Sequence, residues 1–545
     1  MKEDKHVEAI VIGAGAGGGV VAKELATNGI QVVLFERGDW VDYEEHANDE
    51  LISMRGAIKP SMGPDLDKNP RVRLIGEGEN QQAVPIRGNS THIAGCVGSG
   101  TVSYGAMAWR FMEEDFKMVS TYGKVEGSTM ADWPISYADL EPYYVKAEWE
   151  IGVAGDDSDN PFAPPRSKPY PMPAFEQNED GEVLAAAAKR LGLHPFSIPM
   201  ARNSVRYGGR AACIRVPNCA GYACPVGAKN GTHNTVIPVA LRSGNCELRT
   251  NSQVVELIMD DDGRARGVRY FDHKNREHIQ TADLVVVAAS ATETPRLLLN
   301  SKSKKFPDGV GNNNDWVGRN LQGHAYSGAY GLFDYDIQQF SGPGATLALC
   351  DFNHHNEGII GGGLLANEFY QLPYQFSKTR PPKSPRWGAE HKQFQRENFY
   401  RYVKVMGPIQ EMPNFESRVR TYDKIKDFWG RPIVALSGQR LPIDQKHCKF
   451  LATRADELLK EAGAVKTWQT VGGRGQGGGS HQAGSCRMGD DPNTSVVDRY
   501  GKVHGVDNLY IADTSTFVTN AGFNPALTVM AQGFWIGEHL VKKYT

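Results

Sequence analysis

The stretch VEAIVIGAGAGGGVVAKELATNGIQVVLFERG, residues 7–38, decides the fold class of this chain. It begins with an apolar run from Val7 to Ile12, passes through a glycine-rich turn into an alanine-rich helical pattern, and stops at Asn28-Gly29. A second apolar run, Val32 to Phe35, ends at Glu36. The order of strand, glycine turn, helix and strand predicts the start of a Rossmann-type sheet.

The glycine spacing in this stretch indicates dinucleotide binding. Gly13 permits a tight turn, Gly15 lets backbone N–H groups approach a pyrophosphate, and Gly18 lets the helix pack closely on the strand. The helix N-terminus then faces the phosphate charge, and Glu36 can accept hydrogen bonds from a ribose diol. The structural alternative is a glycine-rich turn of an α/β protein that binds no dinucleotide. The pattern alone does not distinguish NAD binding from FAD binding.

Length and charge narrow the protein class. With 545 residues, the chain is expected to form two domains or one discontinuous pair. Sixty Lys and Arg against 63 Asp and Glu give a formal net charge of -3. Because the chain has no long charged block, we expect it to bind neither nucleic acid nor a membrane surface. No apolar stretch approaches the ~20 residues of a spanning helix, so direct membrane insertion is not expected.

Segments spread along the rest of the chain carry a family resemblance. Together with residues 7–38 they resemble the glucose–methanol–choline (GMC) family of FAD oxidoreductases. The segments are GCVGSGTVSYGAMAWR (95–110), DWPISYADLEPYYVKAEWEIGV (132–153), LVVVAASATETPRLLLNS (284–301), VGRNLQGH (317–324), HQAGSCRMG (481–489), SVVD (495–498) and VDNLYIADTSTFVTNAGFNPALTVMAQGFWIGEHL (506–540).

The resemblance implies an α/β fold with an α+β insert. Residues 1–155, 205–325 and 470–545 would form a discontinuous Rossmann-type FAD-binding domain. Residues 156–204 and 326–469 would form a substrate-binding domain of antiparallel sheet and helices. The implied chemistry is oxidation of an alcohol by hydride transfer from its carbon to flavin N5.

The resemblance also implies the FAD contacts. The small-residue segment from Gly98 to Ala106 would lie along the isoalloxazine, with a close-packed loop as the alternative. Where some relatives attach the flavin through a histidine, this chain reads Val102-Ser103-Tyr104, so non-covalent FAD is expected. Ser290 stands where the family usually has glycine. The further implied FAD-binding residues are Arg37, Thr101, Gly105, Val254, Asp513 and Pro525.

His481 is the candidate catalytic base. Oxidation of an alcohol requires its hydroxyl proton to leave, and histidine has an ordinary pKa near the working pH. The family pattern puts this histidine just before the string that here begins at Gly484 and ends at Gly489. The alternatives are a phosphate loop, a flexible glycine linker, or a hydrogen-bonded core histidine; the phosphate loop lacks its Lys-Ser/Thr ending.

Asn524 is the second catalytic candidate. It precedes Pro525 and a helical run, so an N-cap followed by proline at the first helical position is a complete structural explanation. The resemblance adds that Asn524 faces the flavin beside His481 and hydrogen-bonds the substrate hydroxyl. The same helix N-terminus would stabilise negative charge on the reduced flavin.

Three of the eight cysteines, Cys213, Cys219 and Cys224, lie within twelve residues. In a reducing compartment this crowding suggests metal before disulfide. Zinc needs a fourth ligand such as His233, whereas three sulfurs suit a 3Fe-4S cluster. The structural alternative is that the three cysteines are small apolar side chains packed in the core.

The cysteine spacing resembles the bacterial sugar-dehydrogenase branch of the family, which includes FAD glucose, fructose, gluconate and glucoside dehydrogenases. That branch has three residues between the last two cysteines, whereas this chain has four. The resemblance implies a cluster that takes electrons from FAD to cytochrome c, and a small accessory subunit. Cytochrome coupling favours a periplasmic enzyme exported with its partner. The N-terminus runs straight into a strand without a visible signal peptide, which favours the cytoplasm.

The expected function is therefore FAD-dependent oxidation of a secondary or anomeric hydroxyl of a sugar or glycoside. An oxidase of the same fold, passing electrons to oxygen, is the nearest alternative. A flavin-containing lyase or a non-redox binding subunit is an alternative of another class. An NAD-dependent dehydrogenase is the less favoured alternative, because it would give the C-terminal segments with His481 and Asn524 no function. No motif within 326–469 identifies the sugar.

Overall fold

The computed structural model describes residues 2–41, 44, 46, 49–53, 65–76, 80–86, 94–342, 344–473, 475 and 480–545. Its strands form two large sheets and three smaller ones. In chain order the strands are β1 (Lys2–Glu3), β2 (Val7–Ile12), β3 (Val32–Phe35), β4 (Arg71–Ile75), β5 (Gln82–Pro85), β6 (Ala154–Gly155), β7 (Met172–Pro173), β8 (Phe196–Ser197), β9 (Cys246–Arg249), β10 (Gln253–Met259), β11 (Ala265–Phe271), β12 (Glu277–Val287), β13 (Gln322–His324), β14 (Tyr326–Leu332), β15 (Leu347–Leu349), β16 (Leu365–Asn367), β17 (Tyr402–Pro408), β18 (Arg418–Lys426), β19 (Pro432–Ser437), β20 (Lys466–Thr470), β21 (Ser480–Ala483) and β22 (Leu509–Ile511).

The helices cover both large sheets. Among the described residues, none of them has the length and apolarity required to cross a bilayer. They are α1 (Ala16–Thr27), α2 (Glu50–Ser53), α3 (Met118–Tyr122), α4 (Tyr137–Ala147), α5 (Glu179–Arg190), α6 (Val236–Arg242), α7 (Glu293–Asn300), α8 (Pro373–Phe376), α9 (Gly388–Asn398), α10 (Pro442–Glu461) and α11 (Ala526–Tyr544).

The first large sheet has eight strands and is built around β12. One half of β12 pairs with β2 and β22 in parallel, and the other half pairs antiparallel with β11. Strands β2, β3 and β9 continue the parallel part. The predicted strands at 7–12 and 32–35 and the predicted Rossmann-type sheet are confirmed. All strands of this sheet come from the segments predicted for FAD binding.

Helix α1 packs on this sheet through close backbone contact. A Cβ atom on Gly18 would lie 2.0 Å from the carbonyl oxygen of Gly13, and Gly13 itself has φ +103. A larger residue at either position would push the helix from the strand or strain the turn. The two glycines therefore fix the distance between α1 and β2.

The second large sheet has the order β20-β14-β17-β16-β15-β8, with every neighbouring pair antiparallel. Alternation along β14 turns Ala325 and Ala329 toward α10, where they pack with Leu451 and Leu458. The opposite face, which carries Tyr326, looks toward the first sheet. This is the antiparallel insert that the resemblance implied.

A four-stranded sheet joins parts of the chain that the predicted boundaries separate. It has the order β18-β19-β4-β5, so residues 71–85 share a sheet with residues 418–437. The division into domains at the predicted boundaries stays a prediction.

We predict that Gly18→Ala destabilises the protein and lowers its flavin content. Alanine alone would favour a helix by up to about 1 kcal/mol, but the clash with the Gly13 carbonyl should reverse that sign and cost about 1–3 kcal/mol. Urea unfolding measures the change. Gly475→Ala, whose Cβ would meet nothing within 4 Å, is the control. A more stable Gly18→Ala protein would contradict the packing role.

Candidate active site

The main cavity has a volume of about 660 Å³ and lies between the two large sheets. The carboxyl ends of β2 and β3, residues 99–107 and the start of α11 form its walls on one side. Side chains of β14 and β17 form the other side. Ligands of Rossmann-type folds bind at the carboxyl ends of the parallel strands, so this is the expected place for FAD.

Most of the residues predicted to bind FAD line this cavity. Gly18 packs behind the turn, and Gly98, whose N–H donates to the Ala14 carbonyl, lies behind Ser99 and Gly100, which do line it. The predicted residues in the wall are Gly13, Gly15, Glu36, Arg37, Thr101, Gly105, Ala106, Val254, Asp513 and Pro525.

Glu36 lies at the nucleotide end of the cavity, directly after β3. Its carboxylate accepts hydrogen bonds from the Ala14 and Gly38 N–H groups at 3.1 and 3.0 Å. Burial raises the pKa of Glu36, and these two N–H groups oppose the shift. Ribose recognition by this carboxylate stays a prediction, and the residue's position fits it.

The backbone conformation of Ser290 accounts for the glycine that the family usually has at this position. It has φ +91, which glycine adopts at lower cost. Its N–H donates to the Asp513 carboxylate at 3.0 Å, and that carboxylate also accepts from the Ser515 N–H at 2.7 Å. Asp513 therefore holds the strand-to-helix turn as well as lining the cavity.

A buried charge cluster lies beside the nucleotide end of the cavity, and the sequence analysis did not predict it. Glu293 contacts Arg37, Arg71 and Arg296, and Arg296 also pairs with Asp427. Burial opposes ionisation of Glu293, but the three guanidinium groups outweigh it and lower its pKa. Only Glu293 and Arg296 are neighbours in sequence, and their other partners lie more than 100 residues away, so no local pattern could reveal the cluster.

His481 meets a second histidine that the sequence did not single out. His324 Nδ1 lies 2.9 Å from His481 Nδ1, and His324 Nε2 lies 2.9 and 3.0 Å from the carbonyl oxygens of Asn520 and Ala521. Carbonyl oxygens only accept, so Nε2 of His324 must carry the hydrogen. Burial lowers the pKa of His324, which keeps its Nδ1 unprotonated.

This arrangement assigns the tautomer of His481. Because His324 Nδ1 accepts, His481 Nδ1 must donate, and the lone pair of a neutral His481 is left on Nε2. Nε2 is 3.3 Å from Nδ2 of Asn524, in the wall of the main cavity. This geometry fits the predicted roles of His481 as general base and Asn524 as its orienting partner, which stay predictions.

Asn524 is oriented by Trp109 and Tyr326. The Trp109 indole N–H donates to Oδ1 of Asn524 at 2.9 Å, and Nδ2 of Asn524 donates to the Tyr326 hydroxyl at 2.9 Å. An indole can only donate, so the amide cannot be turned the other way. The capping interpretation of Asn524 is wrong, because Pro525 occupies the cap position of α11 and the Asn524 side chain faces the cavity instead.

His481 also has an uncommon backbone conformation, with φ +59. Such left-handed residues are strained and persist where the surrounding structure holds them. Here the Asn520 side chain donates to the His481 carbonyl at 2.7 Å. Residues 474 and 476–479 of the preceding glycine run, invoked for close backbone approach, lie outside the described residues.

The three clustered cysteines line one small cavity with Arg202 and Lys229. All three thiols are free, and the described residues contain no group of three His, Cys, Asp or Glu side chains placed to hold a metal ion. His233, the suggested fourth zinc ligand, does not line this cavity and packs against Gly98.

Arg202 and Lys229 are buried cations, each 2% exposed. Neither forms an ion pair with a carboxylate of the described residues. Lys229 Nζ donates to the carbonyls of Tyr222, Cys219 and Tyr104 at 2.6, 2.8 and 3.2 Å. Burial lowers the pKa of Lys229, and negative charge on the three cysteines would oppose that shift. Burial also raises the pKa of the Cys213 thiol, and the nearby Arg202 guanidinium opposes that shift.

The cysteine loop touches the wall of the main cavity. Ala220 and Gly221, between Cys219 and Cys224, line that cavity, and the Gly221 N–H donates to the Ser103 carbonyl at 2.6 Å. The sulfur site and the predicted flavin site therefore share one short loop.

The fold and the site together define a dinucleotide-dependent oxidoreductase. Models of the GMC oxidoreductase family match residues 119–326 with its N-terminal part and 389–533 with its C-terminal part. The chain belongs to the GMC oxidoreductase family. Membership of this family implies that the chain binds FAD, and the residues that line the main cavity fit this cofactor.

The relatives of the chain include oxidases and dehydrogenases. It is 31% identical to 6'''-hydroxyparomomycin C oxidase of Streptomyces lividus over 97% of this chain and 90% of that one. It is 28% identical to the gluconate 2-dehydrogenase flavoprotein of Pantoea cypripedii over 99% and 94%. Pyridoxine 4-oxidase from Mesorbium loti shares the fold, with a TM-score of 0.63 at 15% identity over 98% of this chain and 99% of that chain.

We predict that His324→Phe slows flavin reduction at least tenfold with little change in substrate binding, because His481 loses the acceptor that fixes its tautomer. His324→Gln can still accept from His481 and should recover part of the rate. Stopped-flow reduction at several substrate concentrations separates the rate from binding. Equal rates in wild type and His324→Phe would contradict the positioning role.

Proposed function

We propose that the protein is an FAD-dependent dehydrogenase that oxidises a secondary or anomeric hydroxyl of a sugar or glycoside. The observation that carries this proposal is the pair formed by His481 and Asn524. It presents an unprotonated imidazole nitrogen and an amide N–H side by side in the main cavity. An alcohol oxygen that lies beside both nitrogens, on the cavity side, meets a proton acceptor and a hydrogen-bond donor.

In this proposal His481 Nε2 accepts the hydroxyl proton, and Asn524 Nδ2 donates to the oxygen on which negative charge develops. The hydrogen on the carbinol carbon leaves with two electrons, and a carbonyl product remains. Bound FAD supplies the hydride acceptor at N5. Tyr326 and Trp109 keep the Asn524 amide in place through the step.

The substrate side of the cavity supports a polyhydroxylated substrate. Glu368 and Lys404 form an ion pair at 3.7 Å in the same wall as His481, and both side chains are mostly buried. A carboxylate and an ammonium group at this position can accept from and donate to neighbouring hydroxyls. The names of the relatives include gluconate and a paromomycin derivative.

We further infer that electrons leave FAD through the cysteine loop. Cys213, Cys219 and Cys224 would hold a 3Fe-4S cluster, which would supply a one-electron exit to a cytochrome c, with a small accessory subunit as a further partner. Two observations support this. Arg202 and Lys229 are buried and form no ion pair with a carboxylate of the described residues, and the cluster ligands would be thiolates. Nε of Arg202 is buried without a hydrogen-bond partner among the described residues.

Oxygen is the alternative electron acceptor, since one relative is named an oxidase. In that case the cysteine cavity would be a packed thiol trio. Peroxide production under air and absence of iron distinguish this alternative.

The proposed function predicts that a sugar or glycoside bleaches the flavin spectrum anaerobically in the purified protein. A panel of glucose, fructose, gluconate and methyl glucosides provides the test, with an iron count before addition. Bleaching with about three irons per chain supports the dehydrogenase. Bleaching without iron, with peroxide formed in air, indicates the oxidase. A flavin that no member of the panel reduces contradicts the proposed function.

We predict that Cys219→Ser loses most of its iron and its cytochrome c reduction, whereas sugar still bleaches its flavin. Cys246→Ser is the matched control, because this free cysteine lies on β9 outside the cysteine cavity. Unchanged iron content in Cys219→Ser would show that these cysteines hold no cluster.

A further inference from the structure

A second cavity of about 420 Å³ opens on the same face of the antiparallel sheet as the main cavity. Its described wall contains two aromatic rings, of Tyr330 and Trp468. The remaining wall is mainly polar and comes from the segment around α8 and from the end of β20. The reaction proposed at His481 does not use this second cavity.

The strand register places the two cavities next to each other. Side chains of one face recur at every second residue, so Tyr326 in the main cavity and Tyr330 in the second cavity share a face of β14. Tyr330 is paired across the sheet with Lys404 on β17 and with Trp468 on β20. Because Lys404 also lines the main cavity, the wall continues from one cavity to the next.

The two aromatic rings lie face to face across neighbouring strands. Tyr330 and Trp468 stack with their centroids 5.3 Å apart and their planes 12° apart. Both side chains are partly exposed. The exposed parts of such a stacked pair can bury the apolar C–H groups of a sugar ring, while polar atoms bind at its edge. Gln375 and Thr470 add amide and hydroxyl groups to the wall around this pair.

We propose that this second cavity binds a further sugar ring of an extended glycoside whose reacting end lies at His481. The proposal rests on the function proposed above. Tyr326 and Tyr330 are four residue steps apart on β14, which corresponds to about 13 Å. A single sugar ring cannot reach across that distance, but linked rings can. The enzyme would therefore act on an oligosaccharide or a glycoside with a carbohydrate aglycone.

The charges of the wall restrict the ring further. Lys378 and Arg380 line the cavity, and its described lining contains no Asp or Glu. A cationic amino sugar would meet like charges at this position, whereas a neutral sugar or a uronic acid would not. The cavity therefore favours neutral or acidic rings.

Trp468→Ala tests the proposal on a series of substrates of increasing length: glucose, maltose, maltotriose, cellobiose and cellotriose. We expect wild type to have at least a tenfold higher kcat/KM for one of the oligosaccharides than for glucose. Trp468→Ala should lower kcat/KM for that oligosaccharide about tenfold, mainly through KM, and leave glucose unchanged. Trp387→Ala, at a tryptophan that is 84% exposed outside both cavities, is the matched control.

A second variant guards against a folding defect in Trp468→Ala. Gln375→Ala removes only a side-chain amide from the wall and should lower kcat/KM for the same oligosaccharide selectively. Equal losses for glucose and oligosaccharides in both variants, or a wild type without preference for length, would overturn the outer sugar site. If no sugar of any length reduces the flavin of wild type, the proposed function itself fails instead.

Discussion

The hydrogen bond between Nδ1 of His324 and Nδ1 of His481 is the contact on which the active site depends. It is made where β13 pairs with β21, so the short sheet that joins two distant segments also brings the two imidazoles together. His324 has its other nitrogen committed to backbone carbonyls and is kept neutral by burial. The candidate base His481 therefore owes its unprotonated Nε2 to a residue that does not line the main cavity.

The surrounding structure keeps this arrangement rigid. Trp109 fixes the Asn524 amide, and the Asn520 side chain holds the carbonyl of the left-handed His481. On the opposite side of the predicted flavin site, Lys229 and Gly221 tie the cysteine loop to the backbone of residues 103–104. In the proposed function, proton removal and electron exit would therefore be supported by separate sets of contacts around one cavity, as expected for groups that must be held within tight limits.

Local patterns allowed much of this to be predicted. The glycine turn, β2, β3 and the candidate base and amide are signalled by residues close together in sequence, and the structure brings His481 and Asn524 together. His324, Trp109 and the pairing of Glu293 with Arg71 carry no such signal, because the contacting residues lie more than 100 positions apart and meet only in the folded structure. Asn524 followed by proline pointed to a helix cap, but tertiary contacts with Trp109 and Tyr326 took its side chain away from that role.

The measurement that tests the central claim most directly is the rate of anaerobic flavin reduction by saturating substrate, followed from pH 5 to 8 in wild type and His481→Ala. If His481 is the base, the wild-type rate rises with pH as the imidazole loses its proton. The variant should be slower by about 10²-fold or more and lose this rise. A His481→Ala enzyme that keeps both the wild-type rate and its pH dependence would contradict the account.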